Sequence, residues 1–147
     1  MIREATEKDI PKIMKMGHSF VQEMSYPLPM EVDEDSLRGT LEGMLESDDA
    51  VIFVNDEVSA MFGGILAPFY FNKNEYAAQE LFWWVSPEAR NSRTGLKLLS
   101  RFEEWATKQG AYFCIMNYME NGKSERLGRF FEHRGYKLAD YAYARAS

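Results

Sequence analysis

The sequence predicts an α/β (α+β) domain in which a mixed sheet, with at least one parallel strand pair, is flanked by helices. Three observations lead there. The chain has 147 residues, 46% of them apolar and 14% aromatic, which is one domain's length (1–147) with enough apolar side chains for a real core. The apolar period switches repeatedly between two and 3.6 residues along the chain. In the second half strands alternate with helices, and that alternation implies at least one parallel pair.

Each element has its own signature. Residues 2–5 are a short strand. Thr6 and Asp9 can both cap a helix, and Pro11 is tolerated because it falls in the first turn. Ile10, Ile13, Met14, Gly17, Phe20, Val21 and Met24 then recur at helical spacing, until Pro27 and Pro29 end the pattern. A second helix carries Leu37, Leu41, Met44 and Leu45 on one side. Residues 50–54 and 58–71 read as a hairpin across Asn55-Asp56-Glu57. Asn72-Lys73-Asn74 reads as a further turn, followed by a strand over 79–85. Its run Leu81-Phe82-Trp83-Trp84-Val85 is apolar on both faces and predicts a covered, central position. Residues 94–109 form the clearest helix, with Leu98, Leu99, Phe102, Trp105 and Ala106 inward and Gly110 as C-cap. A strand over 111–117, a helix over 124–134 stopped by Gly135, and a final hairpin over 136–138 and 141–144 complete the order βααβββαβαββ.

Composition removes several functional classes. One cysteine, Cys114, excludes an internal disulfide framework and a multi-cysteine zinc site. A net charge of −6 argues against a dedicated nucleic-acid binder. The most apolar stretch, 60–71, is broken by Gly63, Gly64 and Pro68 and is too short to span a bilayer. No signal-peptide pattern opens the chain, so a cytoplasmic location without membrane attachment is expected. The charge is unevenly distributed. Residues 1–80 hold 6 Lys/Arg and 16 Asp/Glu, whereas residues 81–147 hold 11 and 7, which allows two ligands of opposite sign or simply a solvated surface.

The chemistry concentrates in Val85-Ser86-Pro87-Glu88-Ala89-Arg90-Asn91-Ser92-Arg93-Thr94-Gly95-Leu96. A central strand ends, a loop of small polar residues follows, and a long helix begins. Backbone N–H groups at such a helix start are without intrahelical partners and carry partial positive charge. With Arg90 and Arg93 added, this is an anion site suited to phosphates. Neither a Walker ending nor G-x-G-x-x-G is present, so nucleoside triphosphate and dinucleotide readings are weak.

These residues resemble the R/Q-x-x-G-x-G/A signature of the GNAT acetyltransferase superfamily, with Arg90 and Gly95 matching and Arg93 standing where the first glycine falls. Val85-x-Pro87-Glu88-x-Arg90, the opening Thr6-x-x-Asp9-Ile10-Pro11 and the closing Phe130-Phe131-x-x-x-Gly135-Tyr136 fit the same family across nearly the whole chain. The Arg-Asn-Ser-Arg-Thr-Gly version looks most like small acetyltransferases of tailed phages. The resemblance implies a mostly antiparallel sheet with a central, splayed parallel pair (79–85 and 111–117) that receives the pantetheine arm of acetyl-CoA. It implies that Arg90, Asn91, Ser92, Arg93, Thr94, Gly95 and Leu96 hold the pyrophosphate, with Trp84, Val85, Ser124 and Phe131 also on the cofactor. It further implies direct transfer of acetyl to a primary amine.

Roles within that frame follow from chemistry. A backbone N–H near Trp83 to Val85 is the donor for the thioester oxygen, and such a donor is typically worth about 3 kcal/mol. Glu80 is the candidate general base, its pKa raised by an aromatic strand. The family's glutamate often falls one position earlier, at Gln79, so strand parity turns Glu80 to the other face unless a bulge intervenes. The tyrosine that usually protonates the leaving thiolate is replaced by Phe131, which leaves Tyr118, Tyr136 or an unaided thiolate. Tyr26, in the Pro-flanked loop, and Tyr118 are candidate acceptor contacts. Glu31, Asp33, Glu34 and Asp35 favour a cationic acceptor, either a small molecule such as a polyamine or aminoglycoside, or a protein amine. Cys114 reads as a core residue, and His18 and His133 as surface residues without a metal. Exposed aromatics Tyr136, Tyr141 and Tyr143 suit a homodimer. A non-catalytic CoA-binding or protein-interaction module on the same fold is the alternative.

Overall fold

The computed structural model describes residues 1–23, 30–119 and 124–147. Among these residues five strands form one sheet in the order β1-β2-β3-β4-β5: β1 (Ile2–Glu4), β2 (Ala50–Asn55), β3 (Ala60–Phe69), β4 (Asn72–Val85) and β5 (Phe113–Ile115). The first three pairings are antiparallel and β4–β5 is parallel. Helices α1 (Ile10–Glu23) and α2 (Glu34–Glu46) cover one face, and α3 (Thr94–Lys108) with α4 (Ser124–His133) covers the other.

The two faces have separate cores. Ile10, Ile13, Met14, Leu41 and Met44 meet Ile52, Val54, Met61 and Trp84 on one side. Leu98, Leu99, Phe102, Ala106 and Phe131 meet Val51, Phe53, Phe62 and Ala78 on the other. All of β2 but Ala50 is buried, as are residues 60–64 of β3, because both faces are covered there. The chain enters α1 through a capping box. Asp9 accepts the Thr6 N–H at 2.8 Å and takes a fork of two hydrogen bonds from Arg3 at 2.8 and 3.0 Å. Gly110 and Gly135, at φ +73° and +91°, end α3 and α4 in the left-handed conformation that the sequence requires of them.

Five expectations need correction. The turn predicted at Asn72-Lys73-Asn74 lies one step earlier, at Tyr70 and Phe71, and β4 runs from Asn72, twice its expected length. Its polar start is tolerated because that end of the hairpin faces solvent, where Asn72 to Asn74 are exposed. The strand expected over 111–117 pairs only at Phe113–Ile115. Leu81, expected to be covered, is 46% exposed. No strand forms over 136–138 or 141–144; Tyr141 and Tyr143 are 72% and 94% exposed, and an isolated short hairpin without a surface to bury is unstable in water. Tyr136 is not exposed with them, for its hydroxyl donates to Glu103 on α3 at 2.8 Å.

The Arg3 fork holds the Asp9 carboxyl down to about 2, so its stabilisation is complete above pH 4 and is lost as pH falls toward 2. Asp9→Asn is expected to cost about 1–2 kcal/mol in urea unfolding at pH 7, with the gap to wild type narrowing between pH 4 and 2. An equal cost at both pH values would contradict this origin.

Candidate active site in the gap between the parallel strands

β4 and β5 share three residue pairs, Ala77–Phe113, Ala78–Cys114 and Gln79–Ile115, and then part. Beyond that point β4 is paired on its β3 side only. Ser86 donates its N–H to Ser59 O at 2.8 Å, and antiparallel pairs alternate between hydrogen-bonded and non-bonded. Trp84 therefore turns its backbone groups toward β3, while Trp83 and Val85 turn theirs into the gap. The Val85 carbonyl is taken up by Arg90 Nε at 2.7 Å.

A bulge decides which side chains accompany that open edge. In the β3–β4 ladder Gly64 pairs with Glu80 and Gly63 with Phe82, so Leu81 is left over. Ala78 and Trp83, five residues apart, consequently pack on the same α3 face, while Phe82 and Trp84 pack on the α1 face. Glu80 lies two residues from Ala78 on the unbulged side and so shares the face of Trp83. The glycines permit this. A Cβ at Gly63 would stand 2.4 Å from the Phe82 ring, and one at Gly64 2.5 Å from Phe102.

Glu80 is only 8% exposed. One of its oxygens accepts the Asn117 N–H at 3.2 Å, bridging the two strands where they separate. Burial raises its pKa to about 7, opposed only by that hydrogen bond. The burial and the raised pKa expected of Glu80 are what the fold produces.

Aromatic rings line the floor of the gap. Phe131, buried on α4, lies 6.2 Å from Trp83 on β4 and 5.8 Å from Tyr118 beyond β5, the latter stacked at 11°. The Tyr118 hydroxyl donates to the carbonyl of Ser124 at 3.1 Å. Tyr136 belongs elsewhere: its hydroxyl is given to Glu103, and burial together with that carboxylate pushes its pKa well up. Cys114 is half-buried in β5 with its thiol also pushed up, as a core residue should be. His18 contacts Glu34, and no cluster of metal-ligating groups occurs among the described residues. Tyr26 lies outside the described residues.

At the mouth of the gap the loop passes through a 3-10 turn (Pro87–Ala89) into α3. Ser92 accepts the Thr94 N–H at 3.3 Å and donates to Ala89 O, which rigidifies the loop. Trp83 Nε1 reaches the Gly95 carbonyl at 3.1 Å and ties α3 to β4. The N-cap of α3 is Arg93, whose own side chain makes no cap hydrogen bond. A cation without a cap at the positive end of a helix dipole is unfavourable unless an anion joins it. Asn91, Ser92 and Arg93 are exposed. Arg90 departs from the expectation of a freely available phosphate ligand. Its guanidinium pairs with both oxygens of Glu23, at 2.6 and 2.7 Å, and lies over Trp84 at 5.5 Å. Glu23, at the end of α1, and the Asn117 N–H were invisible to sequence reasoning, because both contacts join residues far apart in the chain.

Because the folded state raises the Glu80 pKa, its ionisation opposes folding. Wild type should lose about 3 kcal/mol of stability between pH 4.5 and 7 from this group, and Glu80→Gln should not. Chemical denaturation across that range measures the difference, and parallel curves would contradict the burial argument.

No family model matches the sequence, and no curated protein matches it. Solved structures do. A ribosomal-protein-alanine N-acetyltransferase from Brucella melitensis matches at 15% identity and TM-score 0.75, over 100% of this chain and 96% of that one. An aminoglycoside antibiotic 6'-N-acetyltransferase from Acinetobacter haemolyticus matches at 16% and 0.74, over 100% and 97%. A transcriptional regulator from Bacillus halodurans matches at 19% and 0.72, over 100% and 99%. The mixed five-stranded sheet, its single parallel pair and the helices on both faces give this chain the fold of the GNAT acetyltransferases.

Proposed function

We propose that the protein is an N-acetyltransferase that uses acetyl-CoA and passes the acetyl group directly to a primary amine. The observation that carries this reading is the Glu80 carboxyl, buried where β4 and β5 part, with a pKa of about 7 beside an open strand edge. Such a group is half ionised at neutral pH and suited to take a proton from an ammonium acceptor.

The residues present fit the cofactor. The open edge of β4 offers the Trp83 and Val85 backbone to an extended arm, as an added strand would use it. The start of α3 with Thr94, Gly95 and Leu96, the loop residues Asn91 and Ser92, and the Arg93 side chain, which makes no cap bond, suit a pyrophosphate. Trp84 and Arg90 brace the loop from the α1 side. Phe131 and Ser124 belong to the floor, where the Tyr118 phenol stacks on Phe131 and is the candidate donor to a leaving thiolate. Bound acetyl-CoA supplies an activated thioester. The protein orients it, directs a Trp83 or Val85 N–H at its oxygen, and removes the amine's proton through Glu80, directly or through water.

The acceptor is a cation on this reading, a polyamine, an aminoglycoside-like molecule or a protein amine. Glu31, Asp33, Glu34 and Asp35 support it, although Asp33 also caps α2 through Ser36 and Glu34 contacts His18. A non-catalytic CoA-binding or interaction module is the second reading. It is favoured by Phe131, whose buried ring has no hydroxyl to give.

Thiol release from acetyl-CoA with a panel of amines tests the choice. The wild-type rate should rise with pH to a plateau above about 7, and Glu80→Gln should lose that limb and about 10²–10⁴ in rate. Acetyl-CoA binding without turnover on any amine would favour the module. Arg93→Ala should weaken CoA about ten-fold while leaving binding of pantetheine fragments without phosphate unchanged.

A further inference from the structure

The Arg90–Glu23 pair has an arrangement that the proposed reaction does not explain. Arg90 is on the loop that meets phosphate, yet three of its five N–H groups are already committed, two to the oxygens of Glu23 and one to the Val85 carbonyl. The same Glu23 carboxylate accepts Trp84 Nε1 at 3.3 Å, so one anion gathers an arginine and an indole from the end of β4 and the start of the loop. The pair is not sealed, since the Arg90 and Glu23 side chains are 40% and 47% exposed. Glu88 adds a further negative charge near Arg90. Arg93, three residues on, makes no ion pair among the described residues.

A carboxylate and a phosphate present the same feature to a guanidinium, two oxygens spaced for a fork of N–H donors. We propose that Glu23 is a positioning residue that acts as an internal stand-in for the cofactor phosphate: it holds Arg90 in the free protein and thereby sets the affinity of the loop for CoA. This rests on the reading of the loop as a phosphate site. An arriving phosphate either draws Arg90 away from Glu23 or shares it, with two anions repelling across one cation. Both cases make the carboxylate a brake on cofactor binding. A strut that merely holds the loop in shape would have the opposite sign, because removing it would loosen the site and weaken binding.

The sign is therefore the test. Isothermal titration with CoA is run on wild type, Glu23→Gln, Arg90→Ala and the double variant. Gln keeps an oxygen for Trp84 and Arg90 but removes the charge. Glu23→Gln should bind CoA about five-fold tighter, the scale of one exposed charge pair, and the gain should vanish in an Arg90→Ala background. In steady-state assays the change should be carried by the KM for acetyl-CoA. Unchanged or weaker CoA binding by Glu23→Gln overturns the role of Glu23. So does a gain that survives in Arg90→Ala. If Glu23→Gln does not fold, Glu23→Asp, too short to hold both N–H groups, should still tighten binding, and weaker binding by it overturns the proposal. Wild-type protein that binds no CoA at all overturns the reading of the loop itself, and this inference with it.

Discussion

Between Gly63 and Gly64 the β3–β4 ladder slips by one residue, and Leu81 is left without a partner. That slip reverses the facing of every β4 side chain beyond it. It puts Glu80 and Trp83 on one face, sends Trp84 to the α1 core, and lets β4 turn away from β5 just past Gln79. Each candidate role depends on it. The open backbone edge exists because the strands part, and the bulge turns Trp83, beyond it, to the face that the buried carboxyl occupies. Two glycines accommodate the strain, since any side chain on either would collide with Phe82 or Phe102.

Electrostatics around the gap follow from burial and from the few counter-charges within reach. Among the described residues no cation lies against Glu80, so desolvation dominates and the acid is held near neutrality. Asp9, by contrast, is gripped by Arg3 and stays ionised far into acid. The acidic first half and basic second half of the chain do not simply face two ligands. They meet each other at Glu23–Arg90, where α1 is fastened to the loop before α3. Arg93, which has no carboxylate partner among the described residues, lies at the positive end of α3 and makes no cap hydrogen bond there.

Most of the element order was legible. Helical periodicity located α1, α2, α3 and α4 to within a few residues, because each buries one face against a sheet. The glycines after α3 and α4 were readable for the same local reason, a left-handed residue at a helix end. Beyond Tyr136, residues 137–144 carry the composition of strands but stay exposed, so propensity alone misled there. The turn at Tyr70 and Phe71 lacks the usual turn residues, and the polar triplet after it drew the prediction one step too far. At the site, Glu80 and the loop from Arg90 to Leu96 were readable from residue type and position, whereas the partner of each was not.

The sequence by itself determined the alternation of helix and strand, the single anion-suited loop, the lone carboxyl in an aromatic strand and the loss of a hydroxyl at Phe131, since these are matters of local pattern and residue identity. Only the tertiary structure decided the face that Glu80 takes, its bond from Asn117, the pairing of Arg90 with Glu23 and the removal of Tyr136 to Glu103. Those outcomes depend on strand register and on contacts between residues more than thirty positions apart, and a one-residue slip, worth almost nothing in composition, reverses which side chains meet.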